Sequence, residues 1–208
     1  PALVGRAVEL GAAYVGLVFY PPSPRYLDPA RAREIAAAVA APAKAVGLFV
    51  DATEREIEAV LRYVPLDVLQ LHGNETPDRV RQLALWSGLE VMKALRIEEA
   101  SDLAPLDEHA DAADMVLFDA KPPRGPGALP GGNGSAFDWR LLEGVSVAKP
   151  WALAGGLSPD NLAGAVGLLR PPIVDVSSGI ESRPGVKDMG KMEAFLREAR
   201  RLSAPEGT

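Results

Sequence analysis

The sequence predicts an α/β fold of repeated βα units wound into a (β/α)8 TIM barrel whose first β-strand is missing from the 208 residues. Three observations lead there. Short β-branched and apolar runs alternate with Ala/Leu/Glu/Arg-rich segments of helical spacing from one end of the chain to the other. The ends of those runs keep a beat: from Phe19 to Val50, His72, Arg96, Asp119, Gly155 and Gly179 the steps are 31, 22, 24, 23, 36 and 24 residues. Nearly every run also closes on residues with chemical capacity (Asp51, His72, Arg96, Asp119, Gly155-Gly156, Ser177-Ser178), so a single rim is equipped, as barrel enzymes require.

The elements follow in order. The chain opens with a helix, Ala2 to Leu10, closed by Gly11. The strands are Tyr14 to Phe19, Val46 to Val50, Val68 to His72, Val91 to Arg96, Met115 to Ala120, Trp151 to Gly155 and Ile173 to Ser178. Helices lie between them, such as Pro29 to Ala41, with Ile35 and Val39 four apart, and Thr53 to Val64. Asp28-Pro29, Thr76-Pro77 and Ser158-Pro159 each set a capping side chain before a proline suited to the first helical position. An open doubly wound sheet would normally carry a glycine fingerprint after its first strand, and VFYPPSPRY has none. The low-complexity stretch Pro122 to Gly134 falls between a strand and the next helix, which reads as a functional loop. A closed barrel begins with a strand, whereas this chain begins with a helix and supplies seven strands. About ten residues carrying the first strand are therefore expected ahead of Pro1. The expected organisation is one barrel domain over residues 1–208, with strands two to eight and helices one to eight.

Composition narrows function. The chain is 48% hydrophobic and 24% charged, which suits a globular domain with a sizeable core. The net charge of −6, without a Lys/Arg tract, argues against a nucleic-acid partner. There is no apolar run long enough for a membrane span and no secretory leader, so the expected location is the cytoplasm. With no cysteine there are no disulfides and no thiolate chemistry within these residues, and His72 and His109 alone do not make a zinc site, so no metal is expected.

The last two strand ends point to a ligand. LAGGLSPDN (153–161) and VDVSSGIES (174–182) are rich in Gly and Ser, as close approach of backbone amides to an anion requires. Each taken alone also fits an ordinary turn. In a barrel, however, the loops after the seventh and eighth strands commonly bind phosphate, so Gly155, Gly156, Ser177, Ser178 and Gly179 are candidate phosphate ligands.

FYPPSPRY (19–26), LQLHG (69–73), LFDA (117–120), GALPGGNGSAFDW (127–139), LAGGL (153–157) and VDVSSGIES with PGVKD (184–188), in that order, resemble the phosphoribosylanthranilate isomerase family. The resemblance implies a cofactor-free Amadori rearrangement in tryptophan biosynthesis. The aminoaldose N-(5'-phosphoribosyl)anthranilate opens to a Schiff base, loses the proton at sugar C2 and becomes 1-(2-carboxyphenylamino)-1-deoxyribulose 5-phosphate. Such chemistry calls for a general acid at the ring oxygen and a general base at C2. By resemblance the acid is Asp119, which without it would read as an aspartate capping the next loop. Arg25 matches the arginine that holds the anthranilate carboxylate, for which a planar two-pronged donor is well suited, and is otherwise a solvated loop residue. His72 matches a site histidine, although a lone strand-end histidine is more often a core residue, and Asp175 matches an aspartate near the sugar hydroxyls, with a structural partner for a loop amide an equal alternative. Lys93, Arg96 and Lys121 add positive potential at the same rim.

The resemblance implies a cysteine base on the first strand, in a sequence like Lys-Ile-Cys-Gly, which these residues do not contain. Asn133 also departs from the Thr or Ser expected in that loop. Two alternatives stand beside this reading. One is a phosphate-binding barrel isomerase of the ProFAR type, which needs an aspartate where VMKALR has none. The other is a noncatalytic phosphate-binding scaffold. The expected partner is a phosphorylated small molecule, with the chain a monomer or homodimer.

Overall fold

The computed structural model describes residues 1–121 and 136–203; the loop predicted from Pro122 to Gly134, Asn133 included, lies outside them. Seven parallel strands form one sheet in sequential order: β1 (Tyr14–Val18), β2 (Lys44–Phe49), β3 (Val68–Leu71), β4 (Glu90–Ile97), β5 (Met115–Ala120), β6 (Trp151–Leu153) and β7 (Ile173–Val174). Strictly sequential order with a helix in the crossovers is the (β/α)8 winding. Among the described residues β7 pairs on one edge only, and β1 pairs on one edge apart from an isolated bridge of Val18 with Tyr26, so the ring is one strand short of closure, as the sequence count has it.

Side chains on successive strand positions point to opposite faces, and the core divides accordingly. Val46, Val68, Met92, Ala94, Met115, Leu117, Ala152 and Ala154, with Tyr14 and Ile173 against them, form one cluster that draws on every strand, which requires the sheet to curl around it. The opposite face packs outward. Leu17, Phe49, Leu69 and Val91 meet α2 (Pro29–Ala36), α3 (Glu54–Leu61) and α4 (Pro77–Ser87) through Ala32, Ile57 and Val80. Ile97, Val116, Phe118 and Leu153 meet α5 (Leu106–Ala112), α6 (Leu162–Leu169) and α7 (Met189–Ser203) through Ala110, Ala165 and Phe195. The opening helix α1 (Ala2–Glu9) touches α7 across the unpaired edges, where Arg6 Nε donates to Glu193 at 2.7 Å.

Helix starts follow the capping chemistry at three positions. Asp28 and Thr76 accept from Arg31 and Arg79 amides ahead of a first-turn proline, and Thr53 with Glu56 completes a reciprocal capping box, devices worth about 1 kcal/mol each. Ser158-Pro159 departs from expectation. Ser158 does not cap with its side chain; its amide donates to Asn161 Oδ1, Asn161 Nδ2 donates to the Gly156 carbonyl, and α6 begins only at Leu162. Asn161 thus spends its side chain on holding the loop before the helix. The predicted helix from Pro29 stops at Ala36 and tapers through three-residue turns at Ala38 and Val39 towards Pro42, since a residue before proline disfavours helix. Between β5 and β6 the described residues carry only a 3-10 turn, Trp139–Leu142, where a full helix was expected.

The strand predicted to Ser178 is also shorter. The last formal pairing is Leu153 with Val174, extended by the Asp175 amide donating to the Leu153 carbonyl. The backbone then leaves the ladder into the 3-10 turn Ser178–Ile180 and a hairpin of β8 (Glu181–Arg183) and β9 (Val186–Lys187).

Candidate active site

The inward parity that builds the inner cluster continues past it to the C-terminal rim. Two residues beyond Val68 and Gln70 comes His72, two beyond Leu117 comes Asp119, and two beyond Ile173 comes Asp175. These polar ends and the cluster below them border one cavity of about 840 Å3, which also runs along the unpaired edges of β1 and β7. Arg25 reaches it from the loop after β1. Gly155, Gly156, Ser177 and Ser178 reach it from the loops after β6 and β7.

His72 and Asp119 are both buried and joined, with Nε2 3.0 Å from Oδ2. Gln70 Nε2 donates to His72 Nδ1 at 3.2 Å, which leaves the ring proton on Nε2, donated to the carboxylate. The Ala120 amide donates to the other Asp119 oxygen at 2.8 Å. Asp175 opens onto the cavity and is exposed there, with protein crowded around its carboxyl. Desolvation raises its pKa, the charge of Asp119 adds to the rise, and Lys187 and His72 oppose it. Two inward carboxyls, one hydrogen-bonded to an imidazole and a backbone amide and the other pushed towards its neutral form, are the raw material of acid and base work.

The glycines and serines lie on the loops that follow β6 and β7. Gly155 and Gly156 lie at φ +80° and +70°, a backbone region that side chains rarely adopt, and the turn points them into the cavity mouth. Among the described residues the amides of Gly155, Gly156 and Ser177 donate to no backbone carbonyl. Gly179 is different, since it lies outside the cavity wall. A Cβ there would run into the Leu157 carbonyl, so this glycine lets the two strand-end loops touch.

Arg25 is committed to an ion pair across the rim. Its Nε and Nη2 donate to the two oxygens of Glu181 at 2.8 and 2.7 Å, with the Glu181 side chain 4% exposed. Lys187 Nζ donates to Glu181 Oε1 at 3.0 Å, to the Ser177 carbonyl at 2.8 Å and to Ser177 Oγ at 3.3 Å. Burial on its own would raise the Glu181 carboxyl, but the bonds from Arg25 and Lys187 outweigh it and hold the pKa below the ordinary range. Burial pushes the Lys187 ammonium down, and Glu181 pulls it back up.

Gln70, Glu181 and Lys187 are the polar contributors that the sequence did not single out. Gln70 carried a signal in retrospect, as a polar residue at an inward strand position two before His72. Of the three cations expected to supply positive potential, Lys93 points to the outer layer and is buried against Glu75 at 2.8 Å, because strand parity sends odd positions of β4 outward. Lys121 pairs with Asp102, and Arg96 bonds the Asn74 side chain.

The family model of N-(5'-phosphoribosyl)anthranilate (PRA) isomerase matches residues 2–198. The chain is 53% identical over 196 residues to the N-(5'-phosphoribosyl)anthranilate isomerase of Paracoccus denitrificans, covering 94% of this chain and 91% of that one. It is 51% identical over 197 residues to the enzyme of the same name from Cereibacter sphaeroides, covering 95% and 92%. A crystal structure of monomers made from the dimeric phosphoribosylanthranilate isomerase of Thermotoga maritima superimposes with a TM-score of 0.79 at 34% identity, over 96% of this chain and 93% of that one. A family structure in complex with reduced 1-(o-carboxyphenylamino)-1-deoxyribulose 5-phosphate gives 0.78 at 33% identity, over 94% and 91%. With the sheet order, the rim and these matches together, the chain belongs to the phosphoribosylanthranilate isomerase family.

Proposed function

We propose that the rim cavity is where this chain rearranges N-(5'-phosphoribosyl)anthranilate, a phosphorylated small molecule, in the cytoplasm. The observation that carries this reading is the convergence on one cavity of a guanidinium held in place by Glu181, a His-bonded carboxyl and two loops whose amides, among the described residues, donate to no backbone carbonyl, each from a different strand end. A bridging substrate fits those groups at its two ends. Its anthranilate carboxylate faces Arg25, and its phosphate lies on the amides of Gly155, Gly156, Ser177 and Ser178, with the nearby end of the Gly179 turn closing that loop.

The sugar then lies over Asp119 and Asp175. Asp119 in its acid form protonates the departing ring oxygen as the Schiff base forms, and the carboxylate it becomes is held by the His72 Nε2–H and the Ala120 amide. Asp175, pushed towards its neutral form, donates to a sugar hydroxyl. Removal of the C2 proton needs a base. The sequence holds no cysteine, so the thiol implied by resemblance is not among these residues.

Calorimetric titration with reduced 1-(o-carboxyphenylamino)-1-deoxyribulose 5-phosphate tests the reading. The chain should bind it, and Arg25→Ala should weaken binding roughly ten- to a hundredfold, the cost of one or two charge-assisted hydrogen bonds of about 1.5 to 3 kcal/mol. Unchanged affinity would remove Arg25 from the site. A crystal of the complex with the phosphate at the N-terminal rim would overturn the orientation altogether.

A further inference from the structure

Glu181 does not border the cavity, yet it is the most heavily engaged carboxylate near it. It receives the Nε and Nη2 edge of Arg25 and one proton of Lys187, while Lys191 Nζ donates to its backbone carbonyl at 2.9 Å. Lys187 spends its other donors on Ser177. Arg25 and Glu181 are 156 residues apart in sequence. The β8–β9 turn at Gly185 presses on the Pro24 carbonyl beside them, leaving no room for a Cβ.

The result is a clasp between the arm that carries Arg25 and the loop that carries Ser177. Electrostatics alone does not account for it. A carboxylate set between two cations subtracts from the positive potential an anionic substrate would meet. Such a placement makes sense when direction outweighs charge. The fork of Glu181 fixes the plane of the guanidinium, and the shared Lys187 ties that plane to the position of the phosphate loop.

We propose that Glu181 is a positioning residue for the isomerase substrate, acting through Arg25 and Lys187 to set the distance and angle between the carboxylate-holding and phosphate-holding ends of the site. This rests on the assignment of those two ends made above. Its signature is the sign of the effect. Glu181→Gln keeps the shape and adds one net positive charge to the rim. Coulomb attraction by itself would then tighten binding of a dianionic or trianionic ligand, whereas loss of positioning loosens it.

The experiment is titration of the 208-residue chain and its variants with reduced 1-(o-carboxyphenylamino)-1-deoxyribulose 5-phosphate and, separately, with inorganic phosphate. Glu181→Gln should weaken the bridging ligand roughly tenfold or more, the scale of a misplacement of about 1 Å. Inorganic phosphate, which touches only one end, should change several times less. In the Arg25→Ala background the Glu181→Gln effect on the bridging ligand should largely vanish, since the fork it acts through is gone.

Glu181→Asp, which retains the charge and withdraws the carboxylate by one methylene, carries the same test should the Gln variant not fold. It too should weaken the bridging ligand and spare phosphate. Equal or tighter binding of the bridging ligand by either folded variant overturns the positioning role. Equal losses for both ligands also overturn it, since they would report a loosened loop and not a span. A wild-type chain that binds neither ligand instead refutes the site assignment itself and takes this inference with it.

Discussion

At the scale of single residues, His72 and Asp119 stood out as polar strand ends and Asp175 by resemblance. The structure turns all three to one face because a two-residue period sets each in line with the inward apolar side of its strand. The partners of Arg25 were not legible, because Glu181 and Lys187 reach it through a hairpin far along the chain that periodicity does not describe. Asp175 gives a prediction with a definite sign. Its folded pKa is raised, so its contribution to stability is complete below the unfolded value near 3.9 and is lost as pH rises through the folded one. Asp175→Asn should therefore be more resistant to denaturant than the parent at neutral pH, with the difference shrinking towards pH 4. It should also bind the reduced product analogue more weakly. A parent that matches the variant at every pH would contradict the raised value.

At the scale of elements, strands and most helix starts could be read because local chemistry decides them: Asp28, Thr53 and Thr76 cap where their side chains predict. The late start of α6 could not, since Asn161 competes with Ser158 for the turn and wins through two loop hydrogen bonds. Strand ends were overestimated for a similar reason. After Val174 the Gly/Ser composition that made the segment look like a ligand loop is also what takes it out of the ladder. Gly179 marks the contact between the two loops proposed to hold phosphate. Gly179→Ala must displace the Leu157 carbonyl, so it should cost about 1 to 3 kcal/mol in equilibrium unfolding and weaken inorganic phosphate at the same time. A stable variant with intact phosphate binding would show that the loops do not need to touch.

At the scale of the whole molecule, the winding and the seven-strand count were legible from the beat of strand ends, and the barrel, in preference to an open sheet, from the single chemically equipped rim. The curl itself shows in the inner cluster that draws on every strand. Extending the chain before Pro1 with a Lys-Ile-Cys-Gly strand should raise the melting temperature and isomerase activity together, because a single segment would offer ladder hydrogen bonds to both β1 and β7 and a thiol to the cavity. In that extended protein Asp119→Asn should lower kcat by about 10²-fold or more while the reduced product analogue still binds. Activity without stabilisation, or an unaffected kcat, would place the base or the acid elsewhere.

The seam between β1 and β7 has a mechanical meaning as well. Among the described residues no ladder hydrogen bonds join the two strands, so side chains tie the seam. One bridge across it, Arg6 with Glu193, is partly exposed and open to screening by salt, whereas the Arg25 bridge at the rim is buried and largely is not. Raising ionic strength should therefore speed amide exchange in α1 well before it does so around Arg25 and Glu181. The outer helices would part while the clasp at the rim still holds.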